Sequence, residues 1–158
     1  MKTRIHIIRD DLSEAATREL LRLHLQGVLE CSPPGTCFAL DLTGLQSADV
    51  TVCSGWVGPR IAGIGALKNL GDGCGEVKSM RTHPQFLRQG VEAQLLEHII
   101  RAVQEAGMRR LNLETGTGPS FEDALGLYRR RGFVNGPACG DYPGSSAFNQ
   151  YLHLNLVP

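Results

Sequence analysis

The stretch HPQFLRQGVEAQLL, His83 to Leu96, has the residue types for gripping an anion. Pro84 stops the strand before it, because proline cannot donate to a sheet ladder. A helix starts within a few residues. The first turn of a helix leaves its leading backbone N–H groups unpaired and carries a partial positive charge, which suits a pyrophosphate. Gly90 lets a bulky phosphate approach the backbone, and Arg88 adds a cation. An ordinary strand–loop–helix junction fits the same residues, so the loop alone leaves both readings open. Metal and thiol chemistry find less support. The five cysteines, Cys31, Cys37, Cys53, Cys74 and Cys139, include no CxxC pair, and His6, His83, His98 and His153 show no ligand spacing. No metal site and no disulfide framework are expected, and buried free thiols are. Gly63-x-Gly65 lacks the third glycine of a dinucleotide fingerprint.

The elements that must position this loop follow from periodicity. Thr3 to Ile8 reads as a strand, and Leu12 to Leu29 as a helix that breaks near Gly27. Cys31-Ser32-Pro33-Pro34-Gly35 is a loop, and Leu40 to Ala48 is ambiguous. Val50 to Val57 and Arg60 to Leu67 form a hairpin about Gly58-Pro59, and Gly75 to Thr82 is the next strand. Arg88 to Ala106 carries Val91, Leu95, Leu96, Ile99, Ile100 and Val103 as one apolar stripe and ends at Gly107. Arg109 to Thr115 is a short strand. Pro119 to Arg131 is a helix with Glu122 and Asp123 at its start and Arg129 to Arg131 at its end, matching the helix dipole. Phe133-Val134 and Ala147 to Leu156 are final strands across a Gly/Pro-rich loop. The order defines one mixed α/β domain over residues 1–158.

Charge and hydropathy exclude several classes. Lys plus Arg is 16 and Asp plus Glu is 16, so no basic surface for nucleic acid is expected. No run of about 18 apolar residues exists for a membrane span. The first residues lack the apolar core of a secretory signal, and a cytoplasmic protein is expected.

GEVKSMRTHPQFLRQGVEAQLLEHIIRAVQEAGMRRLNLETG followed by FEDALGLYRRRGF resembles the GNAT superfamily of N-acetyltransferases over residues 75–133. The matching pieces occur in order: strand, glycine-bearing loop, long helix, strand, and a helix ending Leu-Tyr-x-x-x-Gly-Phe. The resemblance implies the family's fold, a mostly antiparallel central sheet splayed at the acetyl-CoA site and flanked by helices. It also implies acetyl transfer from acetyl-CoA to a primary amine of a small molecule, by direct attack and without a metal. A CoA-binding sensor module of the same fold and a protein or peptide N-acetyltransferase are the other readings. A homodimer is compatible with the resemblance. Against the family loop (Arg/Gln)-x-x-Gly-x-(Gly/Ala), only Gly90 matches; Leu87 and Glu92 depart from it.

The resemblance also assigns residues. Backbone N–H groups from Leu87, Arg88, Gln89, Gly90, Val91, Glu92 and Ala93 are expected on the pyrophosphate. Met80, Arg81 and Thr82 are expected to pair with the pantetheine as an extra strand would. Phe121 and Tyr128, on one face of their helix, are expected beside the cofactor. Tyr128 resembles the general acid, although the pattern alone favours a packed core aromatic. Glu76 falls where some relatives carry a catalytic glutamate. Period-two alternation puts it on one face with Lys78, Met80 and Thr82, and Val77, Ser79 and Arg81 on the other. An exposed, ion-paired strand glutamate fits that position as well. Glu114 is the alternative base. For the acceptor, His24 and Ser32 are expected to line the pocket, Arg81 to bind a substrate carboxylate, and Tyr142 and Asn149 to close it.

Overall fold

A computed structural model describes residues 2–35, 39–138 and 148–156 of the chain. Its elements are strand β1 (His6–Arg9), helix α1 (Ala15–Cys31), short helix α2 (Leu42–Leu45) and strands β2 (Val50–Val57), β3 (Arg60–Gly71) and β4 (Cys74–Thr82). Then come helix α3 (Val91–Glu105), β5 (Arg110–Thr115), helix α4 (Glu122–Arg131), β6 (Val134–Asn135) and β7 (Gln150–Asn155). The sheet order is β1-β2-β3-β4-β5-β7-β6. All neighbours run antiparallel except β4 and β5, which are parallel and are joined by α3. A parallel pair needs such a crossover, since a tight turn cannot reverse the chain twice.

The apolar stripe on α3 seats it against one sheet face. Val91, Leu95, Leu96, Ile99, Ile100 and Val103 are each at most 2% exposed. Burying each such side chain contributes about 1.5–3 kcal/mol. Two glycines of β3 let the helix come close. A Cβ at Gly63 would lie 2.8 Å from Leu95 Cδ1 and Val91 Cγ1, and one at Gly65 would lie 3.1 Å from Ile99 Cδ1. On the opposite face α1 and α2 bring Leu20, Leu21 and Leu45 against Val50, Val52, Ile61, Ile64 and Ala66.

Several boundaries differ from expectation for physical reasons. The first strand begins at His6, because Thr3 and Ile5 are committed to α3 instead. Thr3 N donates to Gln89 O at 2.7 Å, Gln94 Nε2 donates to Thr3 O at 2.6 Å, and Ile5 N donates to Gln94 Oε1 at 3.3 Å. Helix α1 starts three residues later than periodicity suggests, behind a left-handed Leu12, and continues unbroken through Gly27 to Cys31. Buried Asp10 holds that entry. It accepts bonds from Leu12 N (2.8 Å), Thr17 Oγ1 (2.9 Å) and Ser54 Oγ (2.6 Å). The ambiguous Leu40–Ala48 segment contains α2, capped by Asp41. Helix α3 begins at Val91 rather than Arg88, since Arg88 and Gly90 both take positive φ. Pro119–Phe121 forms a 3-10 turn before α4.

The alternation expected along β4 fails beyond Lys78. Ala66 pairs with Lys78 and Ile64 with Arg81, so β4 uses one residue more than β3 over that stretch. Ser79 is that bulge, with φ of 55°. The extra residue inverts the phase of the strand. Met80 therefore joins the α3 side, beside Gly65 and Ile99, while Arg81 reaches α1 on the side of Lys78. Beyond the bulge β4 also parts from β5. The parallel pairing runs only from Cys74↔Arg110 to Val77↔Leu113.

Leu95 is fully buried between α3 and the sheet. Leu95→Ala is expected to cost about 2–5 kcal/mol. Urea unfolding would read this as a lowered midpoint at unchanged slope, and a loss well under 1 kcal/mol would mean that α3 is not clamped as described.

Candidate active site

The gap between the diverging ends of β4 and β5 opens into a cavity of about 310 Å³. Helix α1 lines it with His24, Gly27, Val28 and Cys31, followed by Ser32. Strand β4 contributes Val77 to Thr82, and β5 contributes Leu113 to Gly116. Leu87 and Glu92 close it at the foot of α3, and Phe121, Asp123, Ala124 and Tyr128 close it from the α4 side. Residues expected from three separate parts of the sequence thus share one space: His24 and Ser32; Met80, Arg81, Thr82, Leu87 and Glu92; and Glu114, Phe121 and Tyr128.

Tyr128 is 6% exposed, and its ring packs edge-on against Phe133 with centroids 5.7 Å apart. The residue is both part of the core and part of the cavity wall. Burial, and then the charge of Glu92, push its pKa upward, so the hydroxyl keeps its proton at neutral pH.

The two candidate bases occupy different places. Glu76 is 2% exposed and is not on the cavity wall, with Oε1 3.6 Å from Lys78 Nζ. Glu114 lies on the wall of the cavity and accepts a bond from Asn149 Nδ2 at 3.0 Å. Burial raises its pKa, and the charge of Glu76 adds to this; the Asn149 bond and Lys78 act the other way. A carboxylate with a raised pKa is a better proton acceptor near neutrality. Asn149 does not line the cavity and acts on it through Glu114. Tyr142 lies outside the described residues.

Glu92 faces the cavity. Burial raises its pKa, Arg81 opposes this, and Asp123 adds to it. The rest of the expected phosphate loop, Arg88, Gln89, Gly90, Val91 and Ala93, lies outside the cavity wall. Gly90, at φ 79°, is the N-cap of α3, and the first bond of the helix runs from Gln94 N to Gly90 O at 3.2 Å. The amides of Val91, Glu92 and Ala93 therefore precede the ladder, as an anion site requires. Lys2, from the N-terminal segment, packs its side chain against Gly90.

His24 is 8% exposed and its Nδ1 is buried without a partner. Burial, and then the charge of Arg81, lower its pKa from 6.5 to about 4, so the ring is neutral. Sequence reasoning missed Lys78, Gly27 and Asp123. For Lys78 there was a signal: a second charged residue beside Glu76 in a strand that had to be central. Gly27 gave only a signal for a break, because its role is set by Arg81, distant in sequence.

A model of the acetyltransferase (GNAT) family matches residues 9–133. The chain belongs to this family and is an acetyltransferase. It is 44% identical over 147 residues to the "uncharacterized N-acetyltransferase YedL" of Escherichia coli K12, covering 93% of this chain and 92% of that protein. Among solved structures it resembles an acyl-CoA N-acyltransferase from Klebsiella pneumoniae (TM-score 0.81, 23% identity, 97% and 98% of the two chains). It also shares its fold with a Bacillus subtilis acetyltransferase solved with CoA (TM-score 0.68, 17% identity, 98% and 100%).

The neutral His24 gives a pH signature. Below pH 6.5 the unfolded chain takes up a proton there that the folded chain refuses until about pH 4. This contribution is intact above pH 6.5 and is lost as pH falls through that window, by on the order of 2–3 kcal/mol at its lower end. Denaturant titrations at about pH 7 and about pH 4.5 should show a smaller acid loss for His24→Asn than for wild type. Equal losses would rule out a buried neutral imidazole.

Proposed function

We propose that this acetyltransferase moves the acetyl group of acetyl-CoA to the primary amine of a small molecule, by direct attack, with Glu114 as base and Tyr128 as acid. The observation that carries this reading is the placement of both groups on one cavity where β4 and β5 part. Glu114 draws the proton from the amine as nitrogen bonds to the thioester carbonyl carbon. The carbon–sulfur bond then breaks, and Tyr128 gives its proton to the departing thiolate. Glu114 releases the amine's proton to solvent and Tyr128 regains one from it, so the enzyme returns to its starting state.

The cosubstrate fits what the chain presents. Beyond Val77 the β5-facing edge of β4 has no strand partner among the described residues, which suits the amide groups of a pantetheine laid along it. The leading amides of α3, with Gly90 ahead of them, suit the pyrophosphate. Leu87 offers no cation there, so backbone amides carry the grip, helped by the cations of Arg88 and Lys2 nearby. Glu92 faces the cavity instead of competing for the phosphates. Glu76, buried and paired with Lys78, adds its charge to the burial that raises the pKa of Glu114.

Tyr128→Phe is expected to lower kcat by about 100- to 10,000-fold, the usual range for a lost acid or base, while CoA affinity changes little. Glu114→Gln should do the same and should also remove the acidic limb of the pH–rate profile. A thiol-release assay over an amine panel, with calorimetric CoA titration, reads both. If Tyr128→Phe keeps full kcat across pH, Tyr128 is not the acid. If CoA fails to bind at millimolar concentration, the assignment of the α3 amides falls.

A further inference from the structure

Arg81 is held in an arrangement that the described residues leave incomplete. Its guanidinium lies across α1 at Gly27, where an added Cβ would stand 2.3 Å from Nη2. Nη2 donates to the carbonyls of His24 (3.1 Å) and Leu23 (3.4 Å), and Nε is buried without a partner. Among the described residues no carboxylate comes within the 4.0 Å of an ion pair with it. A partly buried cation whose hydrogen-bond partners are neutral carbonyls, and on which Glu92 acts only from beyond ion-pair distance, is costly, and an anion in the cavity would offset that cost. The neighbouring polar atoms point the same way. His24 Nδ1 and Ser79 Oγ, on side chains 8% and 9% exposed, are also buried without partners, and both residues line the cavity.

The charges on the wall select among anions. Lys78 and Arg81 face the same space as Glu92, Glu114 and Asp123. Among the described residues carboxylates outnumber cations there by one, so a phosphate dianion would meet net repulsion. A molecule carrying one carboxylate and one amine fits instead. A carboxylate matches the planar guanidinium, and its ammonium suits the acidic remainder. The cavity, at about 310 Å³, also receives the thioester end of the cosubstrate, which leaves room for a small acceptor.

We infer that the acceptor is an amino acid, or a close amino-carboxylate, whose carboxylate is read by Arg81 as positioned over Gly27. This rests on the acetyl-transfer reading above and names its substrate class. Arg81 anchors the acid end, Gly27 lets the Nη2 edge of the guanidinium come up against α1, and Glu114 receives the amine at the other end. The opposite faces of β4 at the bulge make this division. Had Ser79 not shifted the phase of the strand, Arg81 would sit on the α3 side, away from α1.

The test compares common L-amino acids with their amides in the thiol-release assay, at saturating acetyl-CoA. Wild type should favour the acid of its best substrate by about 10- to 100-fold in kcat/KM, the range for a hydrogen bond to a charged group. Arg81→Met should bring that ratio close to one. Gly27→Ala, which keeps the charge but displaces it, should cut the ratio several-fold with the KM for acetyl-CoA unchanged. An acid-to-amide ratio within threefold in wild type, or one unaltered in Arg81→Met, overturns the inference while leaving acetyl transfer to amines standing. If neither acids nor amides are acetylated, the transfer reading fails. Thermal shifts with N-acetyl amino acids against their amides, in the presence of CoA, then decide the anchor. A preference for the acid that Arg81→Met abolishes supports it, and no preference overturns it.

Discussion

Two neighbouring strands that stop pairing determine the rest of this structure. Strand β4 stays bonded to β3 as far as Thr82, and β5 stays bonded to β7 as far as Thr115, yet the two meet only up to Val77 and Leu113. Each is held on its outer side, so the sheet must open between them. Backbone N–H and C=O groups cannot remain both dry and unpaired, and the opening is therefore a place for water or for a ligand with its own amides. The bulge at Ser79 reinforces the opening by turning β4 where the pairing ends. The cavity, with Glu114 and Tyr128 on its wall, is arranged around this wedge.

Close backbone approach is the second condition. Gly63 and Gly65 admit α3 against the sheet, so the N-terminus of the helix lies beside the mouth of the wedge. The N-terminal segment then fixes it there through Thr3, Gln89 and Gln94. Gly116 works similarly on the far side: a Cβ there would come within 2.8 Å of the rings of Phe121 and Phe148, which meet edge-on. Small residues thus set distances that the chemistry uses, without joining in it.

Charge inside the wedge is tolerated because it is mostly shared. Glu76 is paired with Lys78, and Glu114 is bonded to Asn149, so each buried ion has a partner that offsets its desolvation. Arg81 differs, since helix carbonyls are its partners. This contrast distinguishes the two ends of the cavity: carboxylates and a tyrosine at one, a guanidinium held by helix carbonyls at the other.

Periodicity and turn chemistry in the sequence determined the element order, the apolar stripe of α3, the helix ends at Gly107 and Gly132, and the anion-ready start of α3. These are local properties, written in residues a few positions apart. The motif order from Gly75 to Phe133 also determined the family, and with it Tyr128 and the loop about Gly90. The tertiary structure decided what depends on residues far apart. One extra residue at Ser79, invisible to an alternation rule, put Met80 and Arg81 on faces opposite to those expected. Gly27 became a seat for a guanidinium rather than a helix break, because Arg81 arrives from 54 positions away (81 less 27). Glu114, not Glu76, reached the cavity wall, because strand pairing rather than strand composition fixes which carboxylate faces the wedge.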